Sequence, residues 1–455
     1  MLLISANINY LIEMSNIPIS LDLIMSLTKK ADIKSLNKAS IREIAQLVNL
    51  LEGKTGVKFV RMEMGVPGLR TPSIAIEAEI AALRNNVSSV YPDISGIDPL
   101  KKETARFIKL FLDVDIDPRG CIPTVGSMMG AMVSFLVANR NDRTKEGTLF
   151  IDPGFPVQKQ QVKMLGHDYS SFDIINFRGK KLKNKLESFL KPRKISSLLF
   201  SNPNNPSWIC LTEEEISIIG ELCKKYDVIV IEDLAYFGMD FRKDYSNPGK
   251  PPFQPTVAHY NDEYVMLISS SKIFSYAGQR IGMMAISDKL FERSYPDLLR
   301  YYSTDKFGHS AIFGALYGLS AGVAHSVQYG LAAVLKAVND GEYRYRDDVM
   351  DYGEKAREMK KMFVSNNFQI VYDRDLDEPL ADGFYFTVSY PGMKGDELIK
   401  QLLRYGISAI SLATTGSSRD DGLRVCVSLV PRTQFHDLET RLHKFNEDHP
   451  YNGIN

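Results

Sequence analysis

Residues 265–282 read Val-Met-Leu-Ile-Ser-Ser-Ser-Lys-Ile-Phe-Ser-Tyr-Ala-Gly-Gln-Arg-Ile-Gly. The opening apolar run, Val265–Ile268, has the length of a buried strand, and a serine cluster with one lysine, Lys272, stands at its end. Most lysines are solvated loop residues, but the neighbours of this one suit another role. A lysine that bonds a carbonyl must be held near it in a site that lowers its pKa. Arg280, eight residues on, offers fixed charge for a phosphate and disfavours protonation of Lys272. Ser269 and Ser271 add hydroxyl donors, and Gly278 and Gly282 would let backbone approach closely.

Outward from this stretch, short apolar runs alternate with helical patterns. Strands are expected at Thr148–Ile151, Ser197–Ser201, Val228–Glu232, Val265–Ser269 and Met283–Ile286. Helices are expected at 73–83, 98–113, 126–139, 155–165, 182–190, 212–225 and 288–299. This is the pattern of a mostly parallel sheet covered by helices on both faces. Residues 19–52 also read as helical. A long helical stretch, 311–366 with a break near Gly341, leads into strands near 368–372, 383–389 and 423–428, with helices at 395–404 and 433–446. The expected fold is therefore α/β, a large sheet domain plus a smaller α+β domain built from both chain ends. The boundaries fall at 1–70 and 326–455 for the small domain and 71–325 for the large one. The Pro-rich stretch 243–258 reads as a long surface loop.

Bulk properties exclude several classes. The 455 residues carry 55 basic and 55 acidic side chains, so net charge gives no reason to expect nucleic acid or an anionic membrane as partner. Four cysteines, Cys121, Cys210, Cys223 and Cys426, show no metal spacing, and a reduced cytoplasmic interior is expected. The seven histidines stand singly, so no metal site is expected. The first fourteen residues lack the basic start and long apolar run of a signal peptide, and Met14 is an alternative start. Gly53-Lys54-Thr55 lacks the upstream glycine of a phosphate loop, and no Gly-x-Gly-x-x-Gly follows a strand.

Further motifs lie before and after Lys272. Gly65 sits in Gly-Val-Pro-Gly. Tyr91-Pro92-Asp93-Ile94-Ser95-Gly96 precedes Leu100. Gly126-Ser127-Met128 opens an apolar helix, where free N–H groups and the helix dipole suit an anion. Asp152-Pro-Gly-Phe155-Pro, Asn202-Pro-Asn-Asn205-Pro-Ser and Asp233-Leu-Ala-Tyr236 each follow an expected strand. Arg424 lies within the last strand, and a two-pronged donor there suits a carboxylate. Each motif has an ordinary structural explanation on its own: an Asn/Pro turn, a core phenylalanine, a surface arginine.

Together and in this order they resemble the class I and II aminotransferases, the aspartate aminotransferase-like branch of fold-type I pyridoxal phosphate enzymes. The central match is Ser269-x-Ser271-Lys272-x-x-x-x-x-Gly278-x-Arg280-x-Gly282. The resemblance spans residues 65 to 424 and implies pyridoxal 5'-phosphate held as a Schiff base on Lys272. It implies that Asp233 pairs with the pyridine nitrogen, which keeps the ring an electron sink. Tyr236 and Asn205 would serve the phenolic oxygen, Phe155 the ring face, and Gly126, Ser127, Met128, Ser269, Ser271 and Arg280 the phosphate. Asn205, Gly65 and Arg424 would meet the substrate carboxylate. Tyr91 would reach the phosphate of a second subunit in a homodimer with shared sites. Lys272 would then move a proton at the substrate α-carbon while an amino group passes between an L-amino acid and a 2-oxo acid by a ping-pong mechanism.

Three points stay open at this level. Trp208, the sole tryptophan, stands where the family has glycine. The same residues would also serve a decarboxylase or lyase; a non-catalytic regulator would need a DNA-binding segment, and the roughly 60 residues before Gly65 show no basic cluster. Arg300 and Lys306 lie in the region where a dicarboxylate specialist would place a second cation.

Overall fold

The computed structural model describes residues 16–451; the expectations for the first fourteen residues lie outside them. The central sheet has seven strands: β1 (Cys121–Thr124), β2 (Thr148–Asp152), β3 (Tyr169–Asp173), β4 (Ser197–Ser201), β5 (Ile229–Leu234), β6 (Tyr264–Ser269) and β7 (Gly282–Ile286). Their order across the sheet is β1-β7-β6-β5-β4-β2-β3. Strands β6, β5, β4, β2 and β3 pair in parallel, and β7 runs antiparallel to both neighbours. The parallel strands β2, β4, β5 and β6 are almost wholly buried, as covered parallel strands must be.

Two strands of this sheet lie beyond the sequence expectations. β1 contains Pro123 and β3 reads Tyr-Ser-Ser-Phe-Asp; both are edge strands, where proline and polar residues are tolerated. The expected helix 288–299 stops at Glu292, and a 3-10 turn begins at Pro296. The long stretch 311–366 is several helices. His325–Asn339 and Tyr345–Ser365 are separated by Gly341 at φ 75°, and an upstream break falls at Ala321–Gly322. The expected helical run 19–52 is two helices, Leu21–Lys30 and Ile41–Thr55. The second starts with a reciprocal Ser40–Glu43 capping box, a pattern legible as Ser-x-x-Glu. The loop 243–258 is not merely superficial. Gln254 is buried, accepts from the Gly238 amide at 2.6 Å and donates to the Asn202 carbonyl.

A second sheet of four strands joins β8 (Gln369–Ile370), β9 (Tyr385–Ser389), β10 (Ile410–Ser411) and β11 (Leu423–Cys426) in the order β10-β11-β9-β8. All its pairings are antiparallel. The N-terminal segment joins it: Val60–Arg61 pairs in parallel with Ile407–Ser408, and the Ile19 amide donates to the Arg404 carbonyl at 2.7 Å. Chain segments some 350 residues apart thus close one unit beside the large sheet, with the Arg424 guanidinium donating to the Glu63 carbonyl.

Candidate active site

Strands β2, β4, β5 and β6 run parallel, so their carboxyl ends lie along one edge of the sheet, where open α/β sheets bind ligands. The segments leaving those ends carry Phe155, Asn205, Asp233 with Tyr236, and Lys272. Residues of the small sheet and the N-terminal segment close the opposite wall. The resulting cavity holds about 630 Å³, and Gly65, Ser127, Met128, Phe155, Asn205, Asp233, Tyr236, Ser269, Ser271, Lys272, Arg280 and Arg424 all line it. These residues were singled out from separate stretches of sequence; the fold gathers them.

Lys272 sits in the single helical turn Ser270–Ile273 that follows β6, with Ser269 capping it by accepting from the Ser271 amide at 3.2 Å. Its Nζ donates to the Gly65 carbonyl oxygen and lies 5.5 Å from the Phe384 ring centroid. The side chain is half-buried and lines the cavity. Burial first, then the charges of Arg424 and Arg280, push its amine down to about 8.

Asp233 is the penultimate residue of the buried strand β5. Its Oδ2 accepts from Gln158 Nε2 at 2.7 Å and its Oδ1 from the Ala235 amide at 3.1 Å. Burial pushes its carboxyl up to about 6. Gln158 lies on the helix Pro156–Met164, is itself buried and lines the cavity. No sequence signal marked it beyond its place one turn after Phe155. Glu232, next to Asp233, points the other way to Thr256, as strand alternation expects.

Arg280 presses its guanidinium against Gly126, where a Cβ would stand 2.6 Å from Nη2. Gly126, at φ 67°, opens the helix Gly126–Ala138. Gly282 lets this helix start approach the sheet, since a Cβ there would lie 3.0 Å from the Ser127 amide nitrogen. The same expectation fails for Gly278, which is exposed and has open space around its Cα.

Arg424 is 1% exposed on β11. Its Nη2 donates to the Glu63 carbonyl, its Nη1 to Asn205 Oδ1 at 3.4 Å, and its Nε has no partner among the described residues. The Tyr385 ring covers the guanidinium at 4.6 Å.

The charges form a pattern. Lys272, Asp233, Arg280 and Arg424 each lack an ion-pair partner among the described residues, and each bonds only neutral groups. Unlike Arg424, the buried arginines outside the cavity are paired: Arg178 with Glu215 and Asp375, Arg441 with Asp437. Asp233 and Arg424 are buried and Lys272 is half-buried, while Arg280 is exposed; buried, unpaired charge is costly unless a ligand completes it. The cavity thus presents one anion to a cation, two guanidiniums to anions, and an amine of lowered pKa between them.

The other expected residues fall outside the cavity. Tyr91 is 92% exposed on the surface. Arg300 and Lys306 do not line it, and Lys306 donates to the Glu292 carbonyl. The Asn202–Trp208 turn adopts a closed form: Asn204 Oδ1 accepts from Ser207 Oγ at 2.6 Å, and the Trp208 amide donates to the Asn204 carbonyl. Trp208 takes φ 64°, the left-handed backbone that glycine favours, and its indole is fully buried. Sequence reasoning also missed Tyr385, whose hydroxyl lies 2.7 Å from that of Tyr236, and Ser40, Arg42 and Thr414 at the cavity wall.

Sheet topology and charge pattern together define a fold-type I pyridoxal phosphate enzyme. A sequence profile of the aminotransferase class I and II family matches residues 58–442, and the chain belongs to that family. It is a pyridoxal phosphate-dependent aminotransferase. Among its relatives is a probable aspartate aminotransferase of Methanocaldococcus jannaschii, 23% identical over 72% of this chain and 87% of that protein. An LL-diaminopimelate aminotransferase of Natranaerobius thermophilus is 25% identical over 67% of this chain and 74% of its own length. An alanine aminotransferase from Pyrococcus furiosus superposes with a TM-score of 0.73 at 18% identity, covering 92% of this chain and 99% of that one.

Proposed function

We propose that the four unpaired charges divide the work of one transamination site. Pyridoxal phosphate fits the residues present. The carboxylate of Asp233 lacks a cation, the Gly126 cradle leaves the Arg280 guanidinium beside a helix N-terminus, and the Lys272 amine has only a carbonyl to bond. When bound, the cofactor supplies an electron sink for the bonds at the substrate α-carbon. Asp233 would hold a proton on the ring nitrogen, and Arg280, with Gly126, Ser127, Met128, Ser269 and Ser271, would hold the phosphate. Phe155 would cover the ring, and Tyr236 and Asn205 would donate to the phenolic oxygen. Arg424, with Asn205 and Gly65, receives the substrate α-carboxylate and so aims the α-carbon at Lys272. Lys272 Nζ, once freed, takes the α-proton and returns it.

The observation that carries this reading is Arg424, a buried guanidinium whose acceptors are all neutral. The rest of the proposal is a ping-pong exchange between an L-amino acid and a 2-oxo acid, in the cytoplasm. Two further parts are a small domain of residues 1–70 and 326–455 around a large domain of 71–325, and a homodimer in which Tyr91 enters the partner's site. The exposure of Tyr91, and that of Val90, Ile76 and Leu83, supports the dimer. The test is a panel of amino donors with 2-oxoglutarate as acceptor. Amino transfer that requires the acceptor supports the reading; carbon dioxide or ammonia release without it would reassign the enzyme as a decarboxylase or lyase.

A further inference from the structure

We propose that Tyr385 is a positioning residue that couples the Tyr236 hydroxyl to the Arg424 guanidinium; this rests on the roles given above to Tyr236 and Arg424. Tyr385 opens β9. In the β9–β11 register Thr387 lies opposite Arg424, so Tyr385 is the diagonal neighbour on the same face. Both side chains line the cavity.

The ring is fixed from several sides. It is 1% exposed, lies over Arg424 at 4.6 Å and meets the Trp208 indole edge-on at 6.1 Å. Its hydroxyl stands so near Gly65 that a Cβ there would come within 2.0 Å of it. Any side chain at residue 65 would displace it. The hydroxyl is 2.7 Å from Tyr236 Oη, and among the described residues neither hydroxyl has another hydrogen-bond partner.

Each phenol has one proton, so one of the two donates. The Arg424 charge over the Tyr385 ring draws electron density from it and makes Tyr385 the better donor. Tyr236 then accepts, which leaves its own proton free for the cavity. A hydroxyl that accepts a hydrogen bond is a stronger donor through its remaining proton. Tyr385 thereby sharpens the donor aimed at the phenolic oxygen and, through its ring, holds the guanidinium aimed at the carboxylate. Removing only its oxygen weakens the first function. Removing the ring weakens both.

The test compares Tyr385→Phe, Tyr385→Leu and Tyr236→Phe, each loaded with pyridoxal phosphate. The readouts are the pH midpoint of the visible absorbance and the affinity for acetate, taken as the plainest carboxylate and followed by the same absorbance. A donor at the phenolic oxygen counts most when the linkage to Lys272 has lost its proton, so losing the donor raises the midpoint. Tyr385→Phe is expected to raise it by about half a unit, a fraction of the effect of one charge-assisted hydrogen bond. Tyr236→Phe raises it further, and acetate affinity stays as in the wild type for Tyr385→Phe. Tyr385→Leu is expected to weaken acetate binding roughly fivefold through the lost ring contact. A shift with Tyr236→Phe but none with Tyr385→Phe would overturn the coupling alone. No shift with either would overturn the role of Tyr236 and the coupling with it. Unchanged acetate binding in a folded Tyr385→Leu protein would overturn the arginine half.

Discussion

Trp208 fills the space that Gly383 leaves: a Cβ on Gly383 would stand 2.0 Å from the indole Cε2. The large residue at a glycine-like backbone position is thus matched by a glycine on the facing segment. The indole in turn packs edge-on to Tyr236 at 5.3 Å. Gly383→Ala is therefore expected to destabilise the protein by about 2 kcal/mol or more, the cost of overpacking a fixed core. Trp208→Gly opens a cavity and is expected to cost about 3 kcal/mol, partly offset by relief at φ 64°. The double variant should be more stable than the sum of the two losses, by roughly 1–2 kcal/mol. Thermal or denaturant unfolding of the four proteins measures this; strict additivity would contradict the match.

Arg424→Lys keeps a charge but loses the two-pronged donor. The expected result is a KM for the amino donor raised by roughly 10- to 100-fold, with the cofactor absorbance unchanged. Steady-state kinetics with spectra of the resting enzyme check it. A changed spectrum at unchanged KM would place Arg424 on the cofactor instead.

Glu232 gives a stability prediction independent of catalysis. Its carboxyl is buried, accepts from Thr256 Oγ1 at 2.6 Å, and its Oε1 has no partner among the described residues. Burial pushes it from 4.5 up to about 7. The native state therefore holds this proton more tightly than the unfolded chain. The stabilisation is complete below about pH 4.5 and is lost as pH rises through about 7. Glu232→Gln cannot ionise, so relative to the wild type it should gain up to about 3 kcal/mol across that window. Melting of the cofactor-free proteins from pH 4 to 8 reads it; a gap between the two that does not change with pH would sink it.

Much of this was legible because the chemistry clusters at strand ends. The strand before Lys272 and the one before Asp233 are apolar runs, and a run of that kind in a parallel sheet fixes where its last residue points. The edge strands β1 and β3 escaped because Pro123 and the serines of residues 169–173 break the apolar signal. Tyr385 and Gln158 escaped for another reason. Their roles come from contacts across long stretches of chain, Tyr385 to Tyr236 and Gln158 to Asp233, which no local pattern carries. The compensation between Trp208 and Gly383 is of the same kind.

The homodimer proposal predicts a particle of twice the chain mass in sedimentation. Tyr91→Phe should remain dimeric yet release pyridoxal phosphate more readily on dialysis, by roughly tenfold for one lost charge-assisted hydrogen bond. A monomeric wild type that turns over normally would contradict shared sites.

The central claim is that Lys272 carries the cofactor. Borohydride reduction of the loaded enzyme fixes pyridoxal phosphate on whichever lysine holds it, and peptide mass mapping then locates the tag. The predicted result is one tagged peptide, the one containing Lys272. A tag on another lysine, with Lys272 unmodified, would contradict the account.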